Sequence, residues 1–185
     1  MTIETRRLIL RPWRRSDRDM FAEQNADPLV MRYLAGVLTR EESDAYVDRT
    51  EAHLADHGFC KWAVEAPDVA PFIGAVGLSW VKFESTFTPA VEVAWRLHRR
   101  FWGMGYATEA ARASIDDGFK RVGLTEIVAF TALANMPSMR VMERLGMTRT
   151  IEFDHPALQP EHPSRRHILY RLARPTALSE TRPEV

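Results

Sequence analysis

One stretch decides the fold of this chain: Arg99-Arg100-Phe101-Trp102-Gly103-Met104-Gly105-Tyr106-Ala107-Thr108-Glu109-Ala110. The alternating run of β-branched and aromatic residues before it, at 91–97, predicts a strand. After it, small and apolar residues from 107 to 122 recur at the i, i+3, i+4 and i+7 spacing of a helix with one buried face. The glycine loop therefore lies where a strand passes into a helix.

A strand-to-helix loop of this composition predicts a pyrophosphate site. The first turn of a helix carries unpaired N–H groups and a partial positive charge, which together favour a bound anion. Gly103 and Gly105 let the backbone approach that anion with no Cβ in between, and Arg100 adds a fixed charge. An ordinary tight turn fits the local pattern about as well. A dinucleotide-binding loop fits less well, because Thr108 stands where its third small residue is expected.

The overall composition is that of a globular protein, with 45% hydrophobic and 27% charged residues in a chain of 185. We expect a single domain over residues 1–173 and a polar, flexible C-terminal tail over 174–185. The formal net charge of +0 indicates neither a nucleic acid nor an anionic membrane as partner. One cysteine, Cys60, cannot build a disulfide framework, and no signal peptide or apolar span is evident, so we expect a cytoplasmic protein.

The rest of the chain alternates between strand and helix signals. Strands are predicted at 7–11, 59–65, 72–80, 91–97, 126–131, 147–153 and 167–172. Helices are predicted from an N-cap at Ser16 to near Asp27, over 29–34, from a capping box at Thr39 to His57, and over 137–145 with Asn135 as cap. This order indicates a mixed α/β fold, in which a layer of sheet carries helices on its faces.

Five segments carry a resemblance to a known family. They are Thr5–Pro12, Asp27–Leu34, Arg100-x-x-Gly103-x-Gly105, Tyr106–Ala110 and Asn135-x-x-Ser138-x-Arg140-Val141-x-Glu143-x-Leu145-Gly146-Met147. In these segments the chain resembles the GNAT superfamily of N-acetyltransferases, and within it the RimJ/RimL-type branch, over about residues 5–172. The resemblance implies an α/β fold whose central, mostly antiparallel mixed sheet of about seven strands is flanked by helices on both faces.

The resemblance also implies acetyl-CoA as co-substrate. The backbone of Trp95, Arg96 and Leu97 would then bind the pantetheine arm as if it were an added strand. The residues around the pyrophosphate would be Arg100, Trp102, Gly103, Met104, Gly105, Tyr106 and Ala107. Asn135 would bind near the thioester. The six histidines lack metal-ligand spacing with acidic or cysteine partners, so we expect no metal.

Two residues are candidates for the chemistry of acetyl transfer to an amine. Glu92 lies on the strand that enters the site and is proposed as the general base, although such a glutamate can equally pair with an arginine. Ser138 matches the position that the RimL-like resemblance assigns to protonation of the leaving thiolate; otherwise it is an ordinary residue of a first helical turn.

The acceptor is left open by the sequence. The resemblance favours the α-amine of a protein N-terminus. A small-molecule amine, including an antibiotic, and a non-catalytic acyl-CoA sensor are the alternatives, and a homodimer is possible. Several aromatic residues could line an acceptor groove, although aromatic residues in strands more often form core: Trp13, Trp62, Trp80, Phe83 and Phe87.

Overall fold

The computed structural model describes residues 1–175, so residues 176–185 of the predicted tail lie outside the described part. Its strands are β1 (Ile3–Glu4), β2 (Ile9–Arg11), β3 (Lys61–Ala66), β4 (Ala70–Trp80), β5 (Val91–Leu97), β6 (Glu126–Ala132), β7 (Thr148–Asp154) and β8 (Arg166–Ala173). Its helices are α1 (Asp17–Ala26), α2 (Pro28–Met31), α3 (Arg40–His57), α4 (Tyr106–Asp117) and α5 (Met136–Arg144), with a 3₁₀ turn at Arg99–Phe101 and a π-helical turn at Gly118–Val122 after α4.

The strands form one sheet in the order β1-β2-β3-β4-β5-β6-β8-β7. Every neighbouring pair is antiparallel except β5 and β6, which run parallel. The predicted α/β fold with a mostly antiparallel mixed sheet is therefore confirmed. The sheet has eight strands rather than about seven, because the two-residue β1 pairs with β2 and is too short to show a period of two in the sequence.

Helices cover both faces of the sheet. The larger core includes Val91, Val93 and Ile127 from the sheet, together with residues of α4 such as Ala110 and Ile115. On the other face α1 and α3 pack over a second core, in which the rings of Trp13 and Phe21 meet edge to face at 4.8 Å. Of the five aromatic candidates for an acceptor groove, three are core residues: Trp13, Trp62 and Phe87.

Helix ends follow the capping signals of the sequence in most places. The capping box before α3 is confirmed, because the Thr39 hydroxyl accepts the Glu42 N–H at 3.2 Å and the Glu42 carboxylate accepts the Thr39 N–H at 2.8 Å. The prediction that Ser16 caps α1 is wrong. Ser16 has helical backbone angles and makes no capping bond, and the Asp17 carboxylate instead accepts the Arg14 N–H at 2.7 Å.

One predicted strand and one predicted helix are each shorter by two residues in the structure. The strand predicted at 7–11 begins at Ile9, because the backbone N–H of Thr5 donates to the Leu8 carbonyl at 2.9 Å and turns the chain between β1 and β2. The helix predicted over 29–34 is the single turn α2. Its start is fixed by the Asp27 carboxylate, which accepts the Leu29 N–H at 2.9 Å.

Candidate active site

The parallel pair β5 and β6 opens a crevice in the sheet. The two strands are in register only at Glu92 and Val128. Beyond that point they diverge, and ligands in mixed α/β sheets bind outside the carboxyl ends of parallel strands. The glycine loop and α4 follow β5, while α5 follows β6 after a short turn. Both helix starts therefore lie at the open end of the crevice.

The edge of β5 that faces the crevice presents backbone groups that β6 does not pair. The N–H of His98 donates to the Ile73 carbonyl of β4 at 2.9 Å. Because such bonds alternate along an antiparallel strand, the backbone of Arg96 also faces β4, and the backbones of Trp95 and Leu97 face the crevice. The Arg96 carbonyl also accepts Gln24 Nε2 at 3.0 Å. For the predicted strand-like binding, Trp95 is therefore available. Leu97 offers only its N–H, because its carbonyl already accepts Trp102 Nε1.

The glycine loop has the backbone conformation that an anion cradle requires. Gly103 and Gly105 have φ values of +75° and +79°, which residues with a Cβ rarely adopt. A Cβ built on Gly103 would meet no atom within 4 Å, so open space lies in front of it. Gly105 is the N-cap of α4 and has no side chain to bond the first N–H groups, which leaves them for a ligand.

The other predicted residues of the loop differ in exposure. Trp102 and Met104 are about half exposed, at 47% and 48%, and Trp102 Nε1 donates to the Leu97 carbonyl at 2.9 Å. The Arg100 guanidinium is exposed and lies over the ring of Phe101, 4.8 Å from its centroid. Ala107 is half-buried, in the first turn of α4. The loop therefore combines an exposed charge with two exposed apolar side chains around the glycines.

Arg7 and Glu109 hold the glycine loop in place, and neither is among the site residues predicted from the sequence. Arg7 Nη1 donates to the Met104 carbonyl at 3.0 Å, and its guanidinium stacks over the Tyr106 ring at 4.7 Å. Arg7 Nε donates to the Glu109 carboxylate at 2.7 Å, as does the Thr5 hydroxyl, also at 2.7 Å. We call Thr5, Arg7 and Glu109 the loop clamp. The sequence contains one signal for these residues. Thr5 and Arg7 lie in one segment that resembles the GNAT superfamily, and Glu109 lies in another.

The loop clamp fixes the charge of Glu109. Burial by itself would raise the pKa of this carboxyl group. The hydrogen bonds from Thr5 and Arg7 outweigh burial, so the pKa of Glu109 lies below its ordinary value. The carboxylate therefore stays ionised and keeps its hold on the Arg7 guanidinium.

Asn135 and Ser138 meet at the start of α5, as the capping prediction requires. The Asn135 side-chain carbonyl accepts the Ser138 N–H at 3.3 Å, and its amide donates to the Thr131 hydroxyl at 2.8 Å. Ser138 is half-buried in the first turn. Asn135 thus ties the helix start to β6, whose parallel edge forms one side of the crevice.

Glu92 lies where β5 and β6 begin to diverge, and its side chain is 15% exposed. One carboxylate oxygen, Oε1, accepts the Lys61 ammonium at 2.8 Å and the Ser79 hydroxyl at 3.1 Å. Its ion-pair partner is thus a lysine, whereas the alternative to a general-base role named an arginine. Burial lowers the pKa of Lys61. The charge of Glu92, the Tyr46 side chain and the hydrogen bond to Glu92 together outweigh burial, so this pKa lies above its ordinary value.

A small cavity of about 40 Å³ lies beside this ion pair, between α3 and the sheet. Its lining includes Tyr46, Arg49, His53, Cys60, Lys61, Ser79 and Lys82. Burial raises the pKa of the Cys60 thiol to about 12, and the side chain is 1% exposed. Cys60 is therefore an unreactive core residue, as expected.

An aromatic cluster borders the same face of the sheet. The Phe83 ring stacks on Phe153 at 6.1 Å and lies 4.7 Å from the ring of His155. Phe83 is half-buried, and the negative charge of Glu92 acts on His155. Two of the five aromatic candidates, the half-buried Phe83 and the buried Phe87, therefore lie in this cluster next to the candidate active site. Trp80, 37% exposed, packs against Phe59 near the end of α3.

Residues 1–175 lack two kinds of feature. That part of the chain contains no group of three histidine, cysteine or acidic side chains placed to hold a metal ion. It also has no helix that is both long enough and apolar enough to cross a membrane.

Comparison with known proteins points to one family. Residues 7–148 match the family described as "Acetyltransferase (GNAT) domain". The uncharacterized N-acetyltransferase YnaD of Bacillus subtilis is 33% identical over 150 residues, which are 80% of this chain and 84% of YnaD. The FsC-acetyl coenzyme A-N(2)-transacetylase of Aspergillus fumigatus is 30% identical over 157 residues, 82% of this chain and 67% of that enzyme.

Solved structures show the same fold. A GNAT-family acetyltransferase from Bacillus anthracis is 27% identical and superposes with a TM-score of 0.75, covering 94% of this chain and 98% of the other. RimL, a ribosomal L7/L12 α-N-protein acetyltransferase solved with coenzyme A, is 17% identical, with a TM-score of 0.75 and coverage of 94% and 98%. At that identity the likeness to RimL concerns the fold.

Proposed function

Because this chain belongs to the GNAT family of acetyl-CoA-dependent N-acetyltransferases, we propose that it transfers the acetyl group directly to a primary amine, with the α-amine of a protein N-terminus as the favoured acceptor. The family predicted from the sequence motifs is thus confirmed. The acceptor, the residues that bind acetyl-CoA and the catalytic residues are our proposal.

The glycine loop is the observation that carries the cofactor part of the proposal. Two left-handed glycines, open space before Gly103 and free N–H groups at the start of α4 form a cradle for the pyrophosphate, with Arg100 as an added charge. The edge of β5 that β6 does not pair, at the backbone of Trp95 and the N–H of Leu97, suits the amides of a pantetheine arm. In this arrangement the thioester lies in the crevice between Glu92 and the start of α5.

The chain then supplies positions for two proton transfers. As the amine nitrogen bonds to the thioester carbon and the carbon–sulfur bond breaks, the nitrogen loses a proton and the sulfur gains one. Glu92 takes the amine proton, directly or through a water, on the oxygen that Lys61 and Ser79 leave free. The Ser138 hydroxyl gives a proton to the leaving thiolate. A backbone N–H near the end of β5 stabilises the oxyanion.

An α-amine fits this site better than a lysine side chain does. An α-amino group has an ordinary pKa of about 7.7–8.0, against about 10.4 for lysine, so much of it is already neutral near pH 7.5. Two donors already occupy one oxygen of Glu92. Because the only proposed base is a carboxylate with one oxygen already bonded, the site suits an amine whose pKa is low enough for it to be partly neutral before it binds.

A small-molecule amine is the second candidate. It is favoured by the 30% identity to the FsC-acetyl coenzyme A-N(2)-transacetylase. The narrow cavity beside Lys61, of about 40 Å³, also suits a small substituent better than a folded protein surface.

The test is thiol release from acetyl-CoA against N-terminal peptides, amino acids, polyamines and aminoglycosides. We expect turnover with N-terminal peptides. Glu92→Gln and Ser138→Ala should each lower kcat by about 10²-fold or more, the scale of a lost acid or base, with the Kd of acetyl-CoA unchanged. Asp116→Asn, an exposed carboxylate on α4, is the control and should behave as wild type. Binding of acetyl-CoA without any turnover would refute acetyl transfer and favour a sensor.

A further inference from the structure

Positive charge accumulates on the face of the sheet that Glu92 occupies. Arg49 and Lys82 line the cavity beside the Lys61–Glu92 ion pair. Arg96 points to the same face, since its Nη1 donates to the Asn25 side chain at 2.7 Å and its guanidinium lies 5.3 Å from the Tyr46 ring centroid.

These cations exceed the acids around them. Within residues 1–175, Arg49, Lys82 and Arg96 form no ion pair, and the cavity lining contains no Asp or Glu. Glu51, on the same helix as Arg49, is paired with Arg18 at 3.1 Å. The charge of Glu92 acts on both Lys82 and Arg96, but Glu92 already binds Lys61.

The cations also disfavour one another. The pKa of Lys82 lies below its ordinary value, because burial and the charges of Arg49 and Lys61 all oppose its protonation. The pKa of Arg96 is lowered by burial. An anion placed among them would relieve this repulsion, whereas a polycationic amine would add to it.

We propose that the acceptor amine carries a carboxylate or phosphate group, which Arg49 and Lys82 bind while the amine lies at Glu92. This inference rests on the proposed function, because it takes Glu92 as the place of the amine. The acceptors that fit such a site are small amino acids or amino phosphates, or peptides with an acidic residue next to their N-terminus. Polyamines and aminoglycosides are disfavoured.

The test compares acceptors with and without the anionic group, and the Asp/Asn peptide pair also keeps the size of the side chain. The pairs are β-alanine and β-alaninamide, phosphoethanolamine and ethanolamine, and the N-terminal peptides Ala-Asp-Ala-Ala-amide and Ala-Asn-Ala-Ala-amide. Calorimetric titration into the protein saturated with coenzyme A measures acceptor binding without requiring turnover. Thiol release from acetyl-CoA measures kcat/KM for the same compounds. The small-molecule and peptide pairs distinguish the two sources of the anion.

The variants are Arg49→Gln and Lys82→Gln, with Lys120→Gln as a matched control. Lys120 is exposed, in the turn after α4, which packs on the other face of the sheet. We expect the anionic member of at least one pair to bind about tenfold more tightly, and each site variant to remove most of that difference. Lys120→Gln and the Kd of acetyl-CoA should show no change.

The inference is overturned if the neutral partner binds as well as the anionic one in all three pairs. It is also overturned if the anionic preference persists unchanged in both site variants. Charge-selective binding without thiol release would support the anion site while refuting acetyl transfer, so failure of the inference and failure of the proposed function give different results.

Discussion

We predict that the loop clamp strengthens acetyl-CoA binding, and that substitution of Glu109 measures this effect separately from other contacts. Glu109→Gln removes the charge that holds Arg7, and Arg7 in turn holds the Met104 carbonyl of the glycine loop. The amide keeps the size of the side chain, so the helix and core stay as they are. The loop should then sample conformations in which its N–H groups no longer converge on the pyrophosphate.

The expected change in acetyl-CoA affinity follows from the solvent exposure of the Arg7–Glu109 ion pair. The Arg7 side chain is 43% exposed and that of Glu109 is 20% exposed, so solvent screens their ion pair and it contributes only about 0.2–1 kcal/mol. The bonds from the Thr5 hydroxyl and the Arg7 N–H, at 2.7 and 3.0 Å, weaken when their acceptor becomes neutral. A total of about 1 kcal/mol is therefore expected, which corresponds to a rise of about fivefold in the Kd of acetyl-CoA.

Calorimetry of acetyl-CoA binding and thermal unfolding measure the two effects of Glu109→Gln. Asp116→Asn is the matched control, because it removes an exposed charge from the same helix without touching the loop. Since the pKa of Glu109 is depressed, its contribution to stability is present above about pH 4.3 and is lost as the pH falls through the folded-state pKa. The stability difference between wild type and Glu109→Gln should therefore shrink below about pH 4.3.

Unchanged acetyl-CoA affinity in Glu109→Gln, relative to the control, would show that the clamp does not organise the loop. A stability loss without an affinity loss would refute the same reasoning, because it would make the clamp a purely structural contact between β1, β2 and α4.

Three further predictions concern single residues. Gly103→Ala forces a Cβ onto a backbone with φ of +75°, at a cost of about 1–2 kcal/mol, and should weaken acetyl-CoA binding by about fivefold to thirtyfold while circular dichroism stays native; native affinity would contradict the cradle. Asn135→Ala removes the cap of α5, bonded at 3.3 Å, and should lower the free energy of unfolding by about 1 kcal/mol in urea titration; equal loss in an Asn135→Asp control would contradict a capping role. Cys60, with a pKa of about 12 and 1% exposure, should resist iodoacetamide at pH 8 until the protein unfolds, and rapid labelling of the folded protein would refute its burial.

Local patterns predicted most of the elements because the relevant forces act within a few residues. The strand at 91–97 and the capping box at Thr39 have their predicted positions. The wrong predictions concern positions whose structure depends on a residue far away in the chain. Asp17, held by Arg11 at 2.7 Å, replaces Ser16 as the residue that organises the start of α1. The two-residue β1 exists only because β2 pairs with it.

The sequence by itself determined the family and the position of the glycine loop between β5 and α4, because helix periodicity, glycine conformation and motif spacing are all properties of neighbouring residues. Only the tertiary structure decided what surrounds them. It placed Lys61 rather than an arginine against Glu92, brought Arg7 from the first strands onto the loop, and gathered cations from α3 and the sheet around one carboxylate. These contacts join residues far apart in the chain, for example positions 7 and 109. Their electrostatic energy depends on distance and burial in the fold, and no local pattern in the sequence records either.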